Sequence, residues 1–370
     1  MKVLLTGGGT GGHVNPAIAI ADTFKAHDPS TEFLFVGTSR GIENKLVPKA
    51  GYELAHIEIR GLRRSLSLEN LKTVWLTLTS VSKAKKLLRK FKPDIVIGTG
   101  GYACFPACKA AAALGIPVVL HEANAIPGIA VRLLEHCATT VFLNFDESRA
   151  HLKSPDKAVT VGNPLRSVTN PISYDEAREA LGISHKYRRF ILSYGGSMGA
   201  ERINFAMLDL MKSYSSRHPD TLHVHATGAI EYEATKAMFT EAGLDQYENI
   251  KLLEYIYDMP MQMAAADVVI SRAGSMTLSE LALAKKACIL IPSPNVTDNH
   301  QYKNAKVLSD RNAAILIEEK DITKEGMHDA VATLLSDTVA REAMQDAIGT
   351  LAMGDAAERI YAHCMTLIKG

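Results

Sequence analysis

Apolar residues in this chain fall into short, nearly continuous runs, and several of the runs end in glycine. Residues 2–6, 32–36, 94–98, 118–120, 141–143 and 159–161 have this character in the first half. Residues 189–193, 223–226, 250–255, 267–270 and 287–292 have it in the second. Unbroken runs of this length predict strands buried on both faces, as in a parallel sheet covered by helices. Between them the apolar period lengthens to three and four, the period of a helix. The order strand, glycine turn, helix recurs. Residues 2–6 lead into Gly7-Gly8-Gly9-Thr10-Gly11-Gly12-His13 and a helix from about 15 to 26, with Pro16 in its first turn. Residues 94–98 lead into Thr99-Gly100-Gly101-Tyr102 and a small-residue helix over 103–114. Residues 189–193 lead into Gly195-Gly196-Ser197-Met198-Gly199-Ala200 and a helix from Glu201. Residues 267–270 lead into Ser271-Arg272-Ala273-Gly274 and a helix over 275–285.

Two halves of one layout predict an α/β chain of two doubly wound, Rossmann-like domains whose parallel sheets face a cleft. The turn-rich stretch Gly162-Asn163-Pro164-Leu165-Arg166 marks the boundary, giving domains at 1–163 and 164–344. Ligands of such sheets sit beyond the strand C-termini. A helix start after a glycine turn offers backbone N–H groups and a positive dipole end, which suits phosphate. The turns at 7–12 and 98–101 can hold a diphosphate between them. Glu280 is placed to accept from a ribose diol, and Ser197 to donate to a phosphate or sugar. Ile256 stands at a strand end where it can flank a base. His121, Glu122 and Asn124 end one strand, and Asp298, Asn299, His300 and Gln301 share one loop. An ordinary βαβ unit with a solvated loop has the same pattern.

Gly7, Gly9 and Gly12 also satisfy G-x-G-x-x-G, so a nicotinamide-dependent dehydrogenase has to be weighed. That reading needs an acid ending the second strand. Gly37-Thr38-Ser39-Arg40 stands there instead, which disfavours it.

Composition changes the picture in a few places. The 370 residues are 47% apolar and 22% charged, as in globular proteins of two domains. Net charge is +1, yet residues 1–165 hold 20 Lys and Arg against 13 Asp and Glu, so the first half suits an anionic partner. Leu71, Val74, Trp75, Leu78 and Val81 recur at helical spacing among Arg60, Arg63, Arg64, Lys72, Lys83, Lys85, Lys86, Arg89, Lys90 and Lys92. That is either a core helix with a solvated basic face or a helix for an anionic membrane surface. The five cysteines read as reduced thiols, and Cys104 with Cys108 lacks companions for a zinc set. No signal peptide and no membrane span are expected, and no nucleic-acid partner.

Seven motifs stand in order along nearly the whole chain: Gly8-Gly9-Thr10-Gly11-Gly12-His13, Gly98-Thr99-Gly100-Gly101-Tyr102, His121-Glu122-x-Asn124, Gly162-Asn163-Pro164-x-Arg166, Gly195-Gly196-Ser197-x-Gly199-Ala200, Ser271-Arg272-Ala273-Gly274 and Asp298-Asn299-His300-Gln301. Together they resemble the MurG family of peptidoglycan glycosyltransferases. The resemblance implies a GT-B fold in which a final helix, 345–370, returns to the first domain. It implies inverting transfer of N-acetylglucosamine from UDP-N-acetylglucosamine to the muramoyl C4 hydroxyl of lipid I (undecaprenyl-pyrophosphoryl-MurNAc-pentapeptide), giving lipid II. By position it carries donor contacts onto Thr10, Gly11, Gly12, Asn124, Arg166, Ser197, Ile256, Ser275, Met276, Thr277, Leu278, Ser279, Glu280 and Gln301. It sets Gly8, Gly9, Gly100, Gly101 and Tyr102 against the acceptor diphosphate. It implies a peripheral position on the cytoplasmic face of the inner membrane through Leu71, Lys72, Trp75 and Leu78, with other cell-wall synthesis and division proteins as partners. Met198 and Ala123 stand where the family commonly has glutamine, which affects fine donor contacts. His13 and Glu122 are the candidate general bases, and the sequence does not decide between them. No Asp-x-Asp motif occurs, so a reaction without metal or other cofactor is expected. A related transferase with another lipid acceptor, such as a diacylglycerol, and a non-enzymatic nucleotide-sugar binder are the alternatives.

Overall fold

The computed structural model describes residues 1–59, 68–166, 172–196 and 198–369, with side chains left out at 68–78 and 369. It divides into two compact units, Met1–Arg166 with Met353–Gly370, and Ser167–Ala352. Residues 345–352 therefore close the second unit, not the first as the sequence reading has it. The chain breaks between helices Thr338–Gly349 and Ala356–Lys369, and the earlier helix packs on its neighbour Lys324–Ser336.

The first unit is a seven-stranded parallel sheet: β1 Lys2–Gly7, β2 Glu32–Gly37, β3 Leu54–His56, β4 Ile95–Gly100, β5 Val118–Glu122, β6 Thr140–Leu143 and β7 Ala158–Thr160. Its order is β3-β2-β1-β4-β5-β6-β7. Successive side chains of a strand take opposite faces. Leu4, Leu34, Val96, Leu120 and Val141 thus join one apolar layer, while Val3, Phe35, Ile97, Val119 and Phe142 join the other. Burial on both faces is why these strands read as unbroken apolar runs. Helix Ala356–Lys369 sets Ile360 and Cys364 into the second layer. Its Tyr361 stacks on His27 and meets Phe24 edge-on.

Helix Gly11–His27 begins four residues before the sequence expectation. The Thr10 carbonyl accepts from the amides of His13 and Val14, so Gly11 and Gly12 are helical and Pro16 lies in the second turn. Helix Leu68–Phe91 covers the expected amphipathic stretch. Leu71, Lys72, Trp75 and Leu78, the expected membrane contacts, lie outside the described side chains, as do Arg60, Arg63, Arg64 and Ser197. Among the described residues no helix is long and apolar enough to cross a membrane.

The second unit repeats the plan with β8 Arg189–Tyr194, β9 Thr221–Ala226, β10 Ile250–Leu253, β11 Val268–Ser271, β12 Ala287–Leu290 and β13 Ile315–Leu316, all parallel, in the order β10-β9-β8-β11-β12-β13. Ile191, Val268, Ile270 and Ile289 form a layer with helices Glu201–Ser213 and Lys324–Ser336. A polar chain crosses the buried β8–β9 pair. Ser215 meets His223 Nδ1 at 2.9 Å, His223 Nε2 meets Ser193 at 3.0 Å, and Ser193 meets His225 Nδ1 at 2.9 Å. His225 Nε2 then meets Asn204 at 3.0 Å. Full burial holds both imidazoles neutral, pushing His223 down to about 3 and His225 to about 4.

A ring protonated only in the unfolded chain contributes stability above the ordinary histidine value, and that stability is lost as pH falls toward the folded value. For His225 the loss at pH 5 is roughly 2 kcal/mol. His225→Gln removes this titration. Between pH 7.5 and 5 the wild-type urea midpoint should therefore drop by more than that of the variant. Equal drops would mean that the ring titrates normally.

Candidate functional site

In a doubly wound sheet the crevice lies where the strand order reverses, because the loops after the two central strands leave toward opposite faces. These reversals fall between β1 and β4, and between β8 and β11. The four glycine turns read from the sequence sit at these two places.

In the first unit the turns after β1 and β4 touch through their backbones. The Gly8 amide donates to the Gly100 carbonyl at 3.3 Å. A Cβ on Gly101, whose φ is +80°, would stand 2.3 Å from the Gly8 oxygen. The β1–β4 register shifts after Thr6, so Gly7 pairs with Gly100 and Thr99 is left over as a bulge. The bulge aims the Thr99 hydroxyl at the His13 carbonyl, 2.6 Å away. His13 is half-buried in the first turn of helix Gly11–His27, with its ring against Gly100. Its Nδ1 lies 3.1 Å from the Gly8 carbonyl and 3.3 Å from the Thr10 hydroxyl. A carbonyl only accepts, so Nδ1 carries the proton and Nε2 the lone pair.

The expected diphosphate turn is partly committed elsewhere. The Gly8 amide is bonded to Gly100, and the Gly9 amide donates to the Glu43 carboxylate at 2.9 Å. No side chain caps the helix that starts at Gly11, and its His13 and Val14 amides donate to the Thr10 carbonyl, so the Gly11 and Gly12 amides are the ones this turn could offer to an anion. Tyr102 stands exposed on the neighbouring turn. Sequence reasoning missed Glu43. The signal lay in Gly37-Thr38-Ser39-Arg40-Gly41, where two glycines flank the space that its carboxylate fills.

Glu122 ends β5 and is buried. Its Oε1 accepts from the Asn124 amide at 2.9 Å and side chain at 3.1 Å, and its Oε2 from the Gly128 amide at 2.7 Å. Burial raises its carboxyl above the usual range, against the pull of those bonds. It staples the loop that presents Asn124 and is poorly placed to take a substrate proton. The Ala123 carbonyl in this loop accepts from Asn144 at 3.0 Å. Buried His121 donates from Nε2 to the Gly162 carbonyl at 3.0 Å and is pushed down to about 4. Arg166 pairs with Asp22 on the flank of helix Gly11–His27, at 3.0 Å, and Tyr52 donates to the same carboxylate at 2.6 Å. The structure thus sets Arg166 about two and a half helical turns from His13 along that helix.

In the second unit helix Ser275–Leu283 starts after Gly274 with no side-chain cap, so the amides of Ser275, Met276 and Thr277 form its N-terminus. Ser279 is turned back onto the Ser275 carbonyl at 3.1 Å, and Leu278 has its side chain buried and its amide bonded to the Gly274 carbonyl at 3.0 Å. Glu280 is pushed up to about 7 by burial alone, near the buried Tyr194. Arg272 ion-pairs with Glu319 and donates to the Ile291 carbonyl at 3.2 Å, tying together the loops after β11, β12 and β13. Gln301 accepts from the Ser293 amide at 2.9 Å. Ile256 is buried after β10, and Met198 is exposed in the turn after β8. Among the described residues no cluster of three or more His, Cys, Asp or Glu could hold a metal ion.

The glycosyltransferase family 28 N-terminal domain matches residues 3–143, and the family's C-terminal domain matches residues 190–360. A protein of Thermoanaerobacter sp. is 41% identical over 98% of both chains. It is named UDP-N-acetylglucosamine–N-acetylmuramyl-(pentapeptide) pyrophosphoryl-undecaprenol N-acetylglucosamine transferase. The crystal structure of Acinetobacter baumannii MurG superposes with a TM-score of 0.76 at 28% identity, covering 97% of each chain. A putative UDP-N-acetylglucosamine 2-epimerase from Listeria monocytogenes shares the fold at 17% identity, with a TM-score of 0.73 over 100% of this chain and 96% of its own.

The contact between the two first-unit turns is testable by itself. Gly101→Ala places a methyl against the Gly8 oxygen at a positive φ, and should destabilise the first unit by about 1–3 kcal/mol. Gly115→Ala, also at positive φ but with nothing within 4 Å, should cost less. Equal urea midpoints for the two variants would contradict the close approach.

Proposed function

The chain belongs to glycosyltransferase family 28, and on that premise we propose that it transfers N-acetylglucosamine from UDP-N-acetylglucosamine to lipid I, forming lipid II. The observation that carries this reading is the end-to-end likeness to a transferase of that name, in a chain whose glycine turns follow the strands at both switch points. The likeness of fold to an epimerase carries no weight, because fold does not give reaction.

The first unit takes the acceptor and the second the donor. The muramoyl C4 oxygen attacks the anomeric carbon of the donor from the face opposite the diphosphate. The new C–O bond forms as the bond to the β-phosphate oxygen breaks, and UDP leaves with the electron pair. The configuration inverts in this single displacement. His13 Nε2 takes the hydroxyl proton, since the Gly8 carbonyl holds the proton of the ring on Nδ1. Glu122 is a positioning residue for Asn124 and not the base. The uncapped start of helix Ser275–Leu283 stabilises the charge that grows on the leaving diphosphate. Glu280 accepts from the ribose diol. The acceptor is a lipid, and the excess of basic residues in the first half favours an anionic bilayer. The enzyme therefore works from the cytoplasmic membrane face as a peripheral protein, with helix Leu68–Phe91 as its contact. Partners in cell-wall synthesis and division would meet it there.

The primary test is transfer of radiolabelled sugar from UDP-N-acetylglucosamine to a short-chain lipid I analogue with EDTA present. Product should form at the same rate with and without EDTA. If UDP-N-acetylglucosamine binds but no product appears, the acceptor assignment is wrong. His13→Ala should lower kcat by about a hundredfold or more with little change in donor Kd.

The state of Glu280 gives a second test. Its carboxyl is largely neutral below pH 7, and a diol that donates to it selects the ionised form. Donor affinity should rise up to about tenfold from pH 6 to pH 8, with proton release on binding. Calorimetry on Glu280→Gln should show that dependence flattened. A wild-type slope in the variant would remove Glu280 from the ribose contact.

A further inference from the structure

We propose that Glu43 is a positioning residue for this reaction, acting on His13 through the one peptide group that joins Gly8 to Gly9. The N–H of that peptide, on Gly9, donates to Glu43 Oε2 at 2.9 Å. Its carbonyl, on Gly8, lies 3.1 Å from His13 Nδ1. The order is carboxylate, peptide, imidazole. A charged acceptor on the N–H draws electron density toward the carbonyl oxygen and strengthens that oxygen as an acceptor for Nδ1–H. A stronger acceptor there favours the imidazolium formed when Nε2 takes the proton of the attacking hydroxyl. In hydrolytic triads a carboxylate bonded directly to Nδ1–H orients the ring and stabilises its cation. Here one amide stands between the two groups. The inference rests on His13 being the base.

The carboxylate is built in. Glu43 is fully buried, and it also accepts from the Thr38 amide at 2.9 Å and the Thr38 hydroxyl at 2.8 Å. Three glycines make its room. A Cβ on Gly8, Gly37 or Gly41 would fall 2.6, 2.6 or 1.9 Å from Glu43 side-chain atoms. Burial opposes its charge, but the amide and hydroxyl bonds prevail and hold it below the usual glutamate range. A buried anion beside a mouth meant for a diphosphate would otherwise be a liability. Behind the turn, its charge is spent on backbone amides and on the ring. Among the described residues His121 on β5 also faces His13, and burial keeps it neutral. The Thr10 hydroxyl, the Thr99 hydroxyl on the His13 carbonyl and the Gly100 backbone lie against His13 as well.

Glu43→Gln keeps the volume and removes the charge. With UDP-N-acetylglucosamine and a short-chain lipid I analogue, kcat should fall about ten- to a hundredfold at unchanged donor Kd. The acid limb of the kcat/KM profile should move down by about half to one pH unit. Glu43→Asp should restore part of both. A loss of rate with the acid limb unmoved would be a packing effect and would overturn the proposal. If Glu43→Gln does not fold, nitrogen-15 NMR of the wild-type protein decides. Neutral His13 must carry its proton on Nδ1, and a proton on Nε2 overturns the relay. His13→Ala separates the two levels: unimpaired turnover there sinks the base reading, whereas a collapse there beside a wild-type profile in Glu43→Gln sinks this inference alone.

Discussion

The first unit's mouth depends on the approach of two backbones, the turn after β1 and the turn after β4, at the point where the sheet reverses its order. The Gly8 amide reaches the Gly100 carbonyl, and Gly101 lies so near the Gly8 oxygen that no side chain fits. A β-bulge at Thr99 makes the approach possible, because the extra residue lets β4 end level with β1 while its hydroxyl turns to the His13 carbonyl. Each consequence follows by a bond: the Gly8 carbonyl fixes the imidazole tautomer, and Thr99 fixes the helix start that carries the ring.

The same device recurs around both crevices. Glu43 holds Gly9 and Thr38, Glu122 holds Asn124 and Gly128, and Gln301 holds Ser293, in each case by accepting from backbone amides of a loop. Arg272 works in the opposite sense, donating to a carbonyl. Ligand-facing loops have few neighbours of their own to fix them, so side chains behind them supply the missing partners. This is why acidic residues can crowd a site for anionic substrates. Their charge is turned away from the ligand and toward the backbone.

Much of this was legible in the residues. Unbroken apolar runs gave the parallel strands because both faces of each sheet are covered, and the glycine turns marked both reversals. What failed to show was direction. His13 and Glu122 looked alike as candidate bases. Only the bonds on the Glu122 oxygens separate them, and those come from residues two and six positions later, folded back. Arg166 looked poised at a boundary, yet its partner Asp22 lies 144 residues earlier in the chain. Glu43 was marked only by the glycines at 37 and 41, and its bond to the Gly9 amide comes from the turn after the neighbouring strand. The start of helix Gly11–His27 was misplaced because glycine is a poor helix former by propensity, and here the Thr10 carbonyl overrides it.

The two units share a topology but divide the chemistry by how they treat charge. At the second unit's crevice the carboxylate nearest the helix start, Glu280, has burial raising it to about 7, with no opposing cause. At the first unit's crevice the corresponding carboxylate, Glu43, is already satisfied and stays ionised. A group left unsatisfied is one that a ligand can complete, and a group fully satisfied is one that can only support its neighbours. By that distinction the proposed roles differ in kind, binding for Glu280 and support of the base for Glu43. A protein with this fold and a different reaction would be expected to keep the former kind of carboxylate and to lose the latter.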